Sequence, residues 1–317
     1  MFPFPGLELL AVFVYLTESP RRPLPSLTPA VTMPYEAQIS RTNPACILIL
    51  IDQSRSMDEP FAGTVQADQP AQTKAAVVAD AVNRLLQNLV LRSAKADGVR
   101  DYFHVGVIGY GKTIEAGLGG KVPFEVLIPI SQLADHPLRV ETRTKLTPDG
   151  SGGVVEQTVR FPVWFEPVAN GQTPMCEAIA AAALAVKGFA DAHPTAYPPI
   201  VLNLTDGRPS DGNPIDNTRS LRKVKTADGH TIFFNLLLSS GPSVPVYFIS
   251  DEGLLSDVYS RLLFRMSSPL PPRMWDAARS EGFEVAPGGR GVVFNADPTA
   301  VVRFLDIGTR VAPAPGR

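Results

Sequence analysis

The chain has 317 residues, of which 44% are apolar and 19% charged, a globular composition that excludes a mainly disordered, collagen-like or coiled-coil protein. Twenty-nine basic against 31 acidic residues leave a net charge of −2, so no overall basic field exists to hold nucleic acid or an anionic membrane surface. At roughly 150 residues per domain, this length allows one large domain or two ordinary ones.

Residues 1–43 read as a Pro-rich, poorly ordered lead-in, because seven of the 31 prolines fall in the first 34 residues and such density suits neither helix nor central strand. Its one apolar stretch, Leu7 to Leu16, contains Glu8 and has no basic residue before it. A membrane span takes about 20 apolar residues, and a signal peptide wants a basic start. Translation is expected to begin at Met33, with Leu7 to Leu16 packed on a sheet edge as the structural alternative.

From Pro44 the texture changes. Ala45 to Ile51 is a continuous apolar, β-branched run ending in Asp52, as in a strand buried on both faces of a parallel sheet. Thr73 to Ala94 has Ala75, Val78, Val82, Leu85, Leu86 and Leu89 at helical spacing, with Lys74, Asp80, Arg84 and Gln87 on the other face. Tyr102 to Ile108 reads as a strand and Pro174 to Ala190 as a helix with proline in its first turn. Pro199 to Thr205 repeats the first pattern, an apolar run ending in an acid, here Asp206. Ile215 to Ala227 and Leu254 to Met266 read as helices, and Thr231 to Leu238 and Val246 to Ile249 as strands. The series closes with a strand at Val292 to Asn295 and a helix capped by Asp297 with Pro298 behind it.

Strands alternating with amphipathic helices mean α/β, a doubly wound, Rossmann-like and mostly parallel sheet with helices on both faces. Residues 113–169 break the alternation. They are glycine-rich, with period-two runs on either side of Pro148-Asp-Gly-Ser-Gly-Gly153, and read as a β-hairpin insertion. The domain is expected to span 44–310, with 311–317 a disordered tail. The two cysteines, Cys46 and Cys176, lie in apolar runs without a Cys-x-x-Cys pair, which argues against a disulfide scaffold and fits a reducing cytoplasm. Arg219, Arg222, Lys223 and Lys225 form a basic run that reads as a solvated helix face.

The residues that carry chemistry follow the first strand. Asp52-Gln53-Ser54-Arg55-Ser56 places oxygen side chains at alternate positions beyond the carboxyl end of a strand, where open α/β sheets bind ligands. A carboxylate and two hydroxyls are hard oxygen donors, the preference of Mg²⁺. Thr173 and Asp206 are placed by topology to complete the set, although Thr173 before Pro174 is also an ordinary helix cap.

The set resembles the metal-ion-dependent adhesion site of the von Willebrand factor A family, with its pattern Asp-x-Ser-x-Ser, then a Thr, then an Asp. Asp52, Ser54, Ser56, Thr173 and Asp206 match it. Ile47-Leu-Ile-Leu-Ile-Asp52, Gly171-Gln-Thr-Pro-Met175 and Leu204-Thr-Asp-Gly207 are similar to bacterial, intracellular members. The resemblance covers about residues 44–310; Gln53 and Arg55 stand where small residues are common. It implies a cation, Mg²⁺ with Mn²⁺ able to replace it, and a partner protein that offers an acidic side chain to it. It further implies binding rather than catalysis, and a place in a bacterial multiprotein stress or conflict system.

A second pattern points elsewhere. Gly106-Val-Ile-Gly-Tyr-Gly-Lys-Thr113 matches the phosphate-binding loop Gly-x-x-x-x-Gly-Lys-Thr, and a nucleotide hydrolase using Lys112 and Asp206 is the alternative. Such a loop needs a helix opening at its Lys-Thr, which Gly117, Gly119, Gly120 and Pro123 oppose.

Overall fold

The computed structural model describes residues 34–61, 71–148, 153–238 and 244–310. The expectations for Leu7 to Leu16, the Met33 start, the turn at 149–152 and the tail at 311–317 lie outside these residues.

In chain order the main strands are β1 (Ala45–Asp52), β2 (Phe103–Tyr110), β3 (Ile114–Ala116), β4 (Ile128–Pro129), β5 (Arg139–Pro148), β6 (Val154–Val163), β7 (Ile200–Thr205), β8 (Ile232–Leu238), β9 (Val246–Tyr247) and β10 (Val292–Ala296); β5 and β6 form a separate hairpin, and the other eight form the central sheet. The order of the central sheet is β9-β10-β8-β7-β1-β2-β3, with β4 pairing β2. The five inner strands β10, β8, β7, β1 and β2 run parallel, and β3, β4 and β9 pair antiparallel at the edges. This is a mixed α/β fold with a mostly parallel, doubly wound sheet. The chain steps from β1 to β2 on one side and then crosses back to β7 on the other. The switch point therefore lies between the carboxyl ends of β1 and β7.

Every residue of β1 is buried, and the alternation of its side chains divides the core. Ile47, Ile49 and Ile51 pack with α1 (Lys74–Ser93) and α7 (Pro298–Gly308) on one face. Cys46, Leu48 and Leu50 pack with α3 (Met175–Ala192), α4 (Ile215–Lys223) and α5 (Val258–Met266) on the other. Burial on both faces explains the unbroken apolar run. Thr73 caps α1 by accepting from Ala76 N at 3.2 Å, and Asp297 caps α7 by accepting from Ala300 N at 2.7 Å. Cys46 and Cys176 are both free thiols. Among the described residues, no helix is long and apolar enough to cross a membrane.

Several elements differ from the sequence expectation. The span 113–169 is not one hairpin: β3 and β4 extend the central sheet, α2 (Ile130–Asp135) follows, and only β5 and β6 form the hairpin. The α4 helix stops at Lys223 rather than Ala227, because Lys225–Thr226 pairs with Gly229–His230 in a ribbon. The α5 helix starts at Val258, where the Asp257 carboxylate accepts from Tyr259 N and Ser260 N at 3.0 and 2.9 Å. Pro272–Ser280 forms a further helix, α6, with proline at its first turn. Residues 34–43, grouped by sequence with the lead-in, are anchored on the domain. Tyr35 N donates to Asp228 O at 2.9 Å, Glu36 N and Ala37 N donate to the Asp228 carboxylate at 3.0 Å each, and Ile39 is buried.

A buried polar chain crosses the sheet beside the switch point. Tyr110 Oη donates to Asn203 Oδ1 at 2.8 Å, Asn203 Nδ2 to Asn235 Oδ1 at 3.0 Å, and Asn235 Nδ2 to Ser267 Oγ at 2.9 Å. It ties β2, β7, β8 and the end of α5 together. In Asn203→Val the Asn235 carbonyl loses its partner and the Tyr110 hydroxyl keeps only a long 3.5 Å bond to Leu204 O, and a buried orphan costs about 1–3 kcal/mol. Urea unfolding is expected to show a loss of roughly 2–4 kcal/mol at unchanged m-value; a loss under about 0.5 kcal/mol would mean that the chain is incidental.

Candidate metal centre

Asp52 is the last residue of β1 and Asp206 follows the last residue of β7, so parallel pairing of Ile51 with Leu204 brings the two acids to one edge. The 52–56 loop is held by its own turn and by a neighbour. Met57 N bonds Ser54 O at 3.0 Å, Asn170 N bonds Gln53 O at 2.6 Å, and Arg55 N bonds Gly171 O at 3.3 Å. These bonds bring the loop carrying Thr173 against the loop carrying the serines. Gly171 takes φ +84°, and a Cβ there would lie 2.3 Å from Lys112 N, so only glycine fits this junction.

Four of the five expected residues are joined by hydrogen bonds. The Asp52 carboxylate accepts from Ser54 N at 2.9 Å, the Ser54 and Ser56 hydroxyls lie 3.0 Å apart, and Ser56 Oγ donates to Asp206 Oδ1 at 2.7 Å. Thr173 is buried beside them. A Cβ placed on Gly207 would lie 3.7 Å from Thr173 Oγ1 and 4.0 Å from Ser56 Oγ, so both hydroxyls border the space over this glycine. Thr173 is not a cap: Pro174 occupies the N-cap position of α3. The first free amides of α3, Cys176 N and Glu177 N, donate instead to the Asp211 carboxylate at 3.1 and 2.9 Å. That leaves the Thr173 hydroxyl for the site.

Two neighbours were not marked by sequence. Thr205 Oγ1 donates to Asp52 at 2.6 Å. Lys74, assigned by helical spacing to the polar face of α1, is 1% exposed and donates to Asp206 Oδ2 and Glu59 Oε2 at 2.8 Å each. Burial pulls the Lys74 ammonium down, but Asp206 and then Glu59 outweigh it and hold its pKa above the ordinary value. Its position just after the Thr73 cap, in the turn facing the loop after β1, was the available signal.

The two buried acids are thus unequal. Asp206 has a cation against it, whereas among the described residues Asp52 accepts hydrogen bonds only from Ser54 and Thr205. Burial pushes the Asp52 pKa from 3.8 to about 6, with Asp206 adding to the rise and the Thr205 and Ser54 bonds opposing it. Among the described residues no cluster of three or more His, Cys, Asp or Glu forms a metal site. The set here is of another kind, two carboxylates and three hydroxyls. The hard oxygens, the uncommitted Thr173 hydroxyl, the gap over Gly207 and the unmatched Asp52 charge fit a small divalent cation.

The phosphate-loop alternative fails its context test. Gly106 to Tyr110 lie within β2, Gly111 to Thr113 turn the chain, and β3 follows where a helix would be needed. A Cβ on Gly111 would lie 2.5 Å from Asn170 O and 2.7 Å from Gln53 O, so this glycine serves loop packing. Lys112 is exposed.

The pH dependence follows from Asp52. Its folded pKa lies above the unfolded value, so between about pH 4 and 6 the folded state keeps a proton that the unfolded state has released, and stability falls as pH rises through that window. In EDTA the wild type is expected to lose roughly 1–3 kcal/mol across the window relative to Asp52→Asn. If the site takes Mg²⁺, the ion is expected to reverse the loss above pH 6, because the ionised carboxylate would be the ligand. Parallel stability–pH curves for the two proteins would contradict this assignment.

No protein-family model matches the sequence, and no curated protein matches it. Among solved structures the chain is similar to proximal thread matrix protein 1 from the mussel byssus, at 13% identity over 86% of this chain and 48% of that one, TM-score 0.44. It is similar to a von Willebrand factor type A protein from Catenulispora acidiphila, at 13% identity over 88% and 46%, TM-score 0.43. A third is the conserved hypothetical protein BatB from Bacteroides thetaiotaomicron, at 14% identity over 84% and 99%, TM-score 0.40. The chain spans under half the length of the first two. Likeness at this level carries no chemistry to this chain.

Proposed function

We propose that this protein is a von Willebrand A-type binding domain that engages a partner protein through a divalent cation, Mg²⁺ or Mn²⁺, held by Asp52, Ser54, Ser56, Thr173 and Asp206. The observation that carries the proposal is the meeting, at the switch point of the sheet, of two buried carboxylates and three hydroxyls from three separate loops. The order Asp-x-Ser-x-Ser, Thr, Asp supports it, as does the release of Thr173 from capping duty by Asp211.

The residues divide the work. Ser54, Ser56 and Thr173 offer neutral oxygens, and Asp52 and Asp206 offer charge. Lys74 already neutralises part of that charge through Asp206. A bound cation would keep positive charge and a replaceable water, which a partner's carboxylate can take. Thr205 orients Asp52, and Lys74 orients Asp206. No bond-breaking step is needed, so the protein is proposed to bind rather than catalyse.

The rim supplies selectivity. Arg55 is exposed beside the serines, and a depression of about 660 Å³ between the 111–114, 171–174 and 210–211 loops is bordered by Lys112, Gln172 and Glu177. Charges placed there choose among carboxylate-bearing partners more than they add affinity.

Calorimetric titration with MgCl₂ is expected to show one site per chain, weakened about tenfold or more in Thr173→Val, since one oxygen ligand is lost. Lys74→Met should strengthen the cation's stabilising effect, because the metal then also covers the Asp206 charge. A wild type without saturable heat, or a Thr173→Val that binds as the wild type does, would remove the metal from the proposal.

A further inference from the structure

A cavity of about 980 Å³ runs along α4, closed by the end of α5, the 268–272 loop and the arm at 34–36, and it includes none of the five metal-site residues. Its walls are largely apolar, with Pro34, Ile215, Leu270 and Pro271 among them. This volume lies at the upper end of the range of small-molecule sites, which are apolar concavities with a few placed polar groups.

Two of the lining residues have polar groups without partners. Arg222 is half-buried, and among the described residues its guanidinium makes neither an ion pair nor a hydrogen bond. Burial, and then the like charge of Arg290, pull its pKa below the ordinary arginine value. Its neighbours on the same cavity differ: Arg219 is paired with Asp216, and Arg265 with Glu252 at 2.6 Å. Arg290 donates to Ser267 O at 2.6 Å and lies over the Phe264 ring. Thr218 is 2% exposed, and among the described residues its hydroxyl has no partner, but that oxygen is sealed from the cavity. Arg222 is therefore the unmatched polar group that the cavity presents.

The opposite wall is fixed in place. Tyr35 has φ 68°, a left-handed conformation that costs a non-glycine residue of order 1–3 kcal/mol. It is held there by Asp228, itself buried, through the three backbone bonds of residues 35–37. Strain maintained by a buried carboxylate at a cavity wall fits a preorganised site.

We propose that this cavity binds a small organic anion, its carboxylate or phosphate paired with Arg222 and its apolar body against the proline-lined wall. The anion would supply the countercharge that Arg222 lacks. The site is independent of the metal centre and stands whether or not that centre binds metal.

The test is calorimetry of the full chain at low salt with phenyl phosphate and, separately, phenylacetate, which distinguish a phosphate head from a carboxylate head. Saturable binding of at least one of them is expected, unchanged by EDTA. Arg222→Gln should weaken it about tenfold or more, as expected for a charged hydrogen bond. Arg222→Lys should retain part of it, a point charge without the fork. Benzyl alcohol, which lacks the charge, and inorganic phosphate, which lacks the body, should both bind more weakly. Melting curves of the variants establish that they are folded. No saturable heat with either aromatic anion, Arg222→Gln binding as the wild type does, or benzyl alcohol binding equally would each overturn the proposal.

Discussion

A carboxylate is buried at the end of β1 with no cation beside it among the described residues, and much of the surrounding structure answers to that fact. Asp52 has no exposed surface and, among those residues, accepts only from a backbone amide and the Thr205 hydroxyl, while Asp206 nearby shares the same small volume. Two like charges at this depth are costly. Lys74 meets half of the problem by pairing with Asp206. The Glu59 arm of the same ammonium adds little, since Glu59 is 60% exposed and its ion pair is screened. The remaining demand falls on Asp52, and a divalent ion among the hydroxyls of Ser54, Ser56 and Thr173 would satisfy it. Stability has been given up in the metal-free state at the place where function is proposed, as functional sites often require.

The fold makes that concentration of charge attainable. Parallel strands β1 and β7 end at the same edge, so consecutive loops must converge there, and the switch of direction between them leaves a crevice rather than a covered surface. Three loops fill its rim by backbone bonds among residues 53, 55, 110, 170 and 171. The glycines at 111 and 171 permit that contact. What resembles a nucleotide-binding signature at Gly106–Thr113 is, in this chain, a strand end and a tight turn that support the neighbouring site.

Much of this arrangement was legible in the sequence, for identifiable reasons. Strands buried on both faces leave unbroken apolar runs, so β1 and β7 and the acids that end them stood out, and with them the oxygen-rich loop after β1. Lys74 did not, because helical periodicity sorts residues into faces but says nothing of a first turn that tucks under a neighbouring loop. Asp211 and Asp228 serve backbone amides 34 to 192 residues away, contacts that no local pattern encodes. The anchoring of residues 34–43 was hidden for the same reason. The hairpin about residues 148–153 was legible from its alternation, but the rest of the 113–169 stretch was not, because two- and three-residue edge strands carry too short an alternation to separate from a loop. Asn203 and Asn235 inside apolar strands were visible as oddities, but their pairing with Tyr110 and Ser267 emerges only from the register of β2, β7 and β8.

The most direct measurement is the anomalous scattering of Mn²⁺ in crystals of the protein at neutral pH. A single strong peak is predicted at the carboxyl end of β1 and β7, in contact with oxygens of Ser54, Ser56 and Thr173, with Lys74 still on Asp206, and absent from Asp52→Asn crystals grown alike. Mn²⁺ bound only by exposed carboxylates elsewhere, or no peak at this edge in the wild type, would contradict the account and leave the burial of Asp52 without a functional cause.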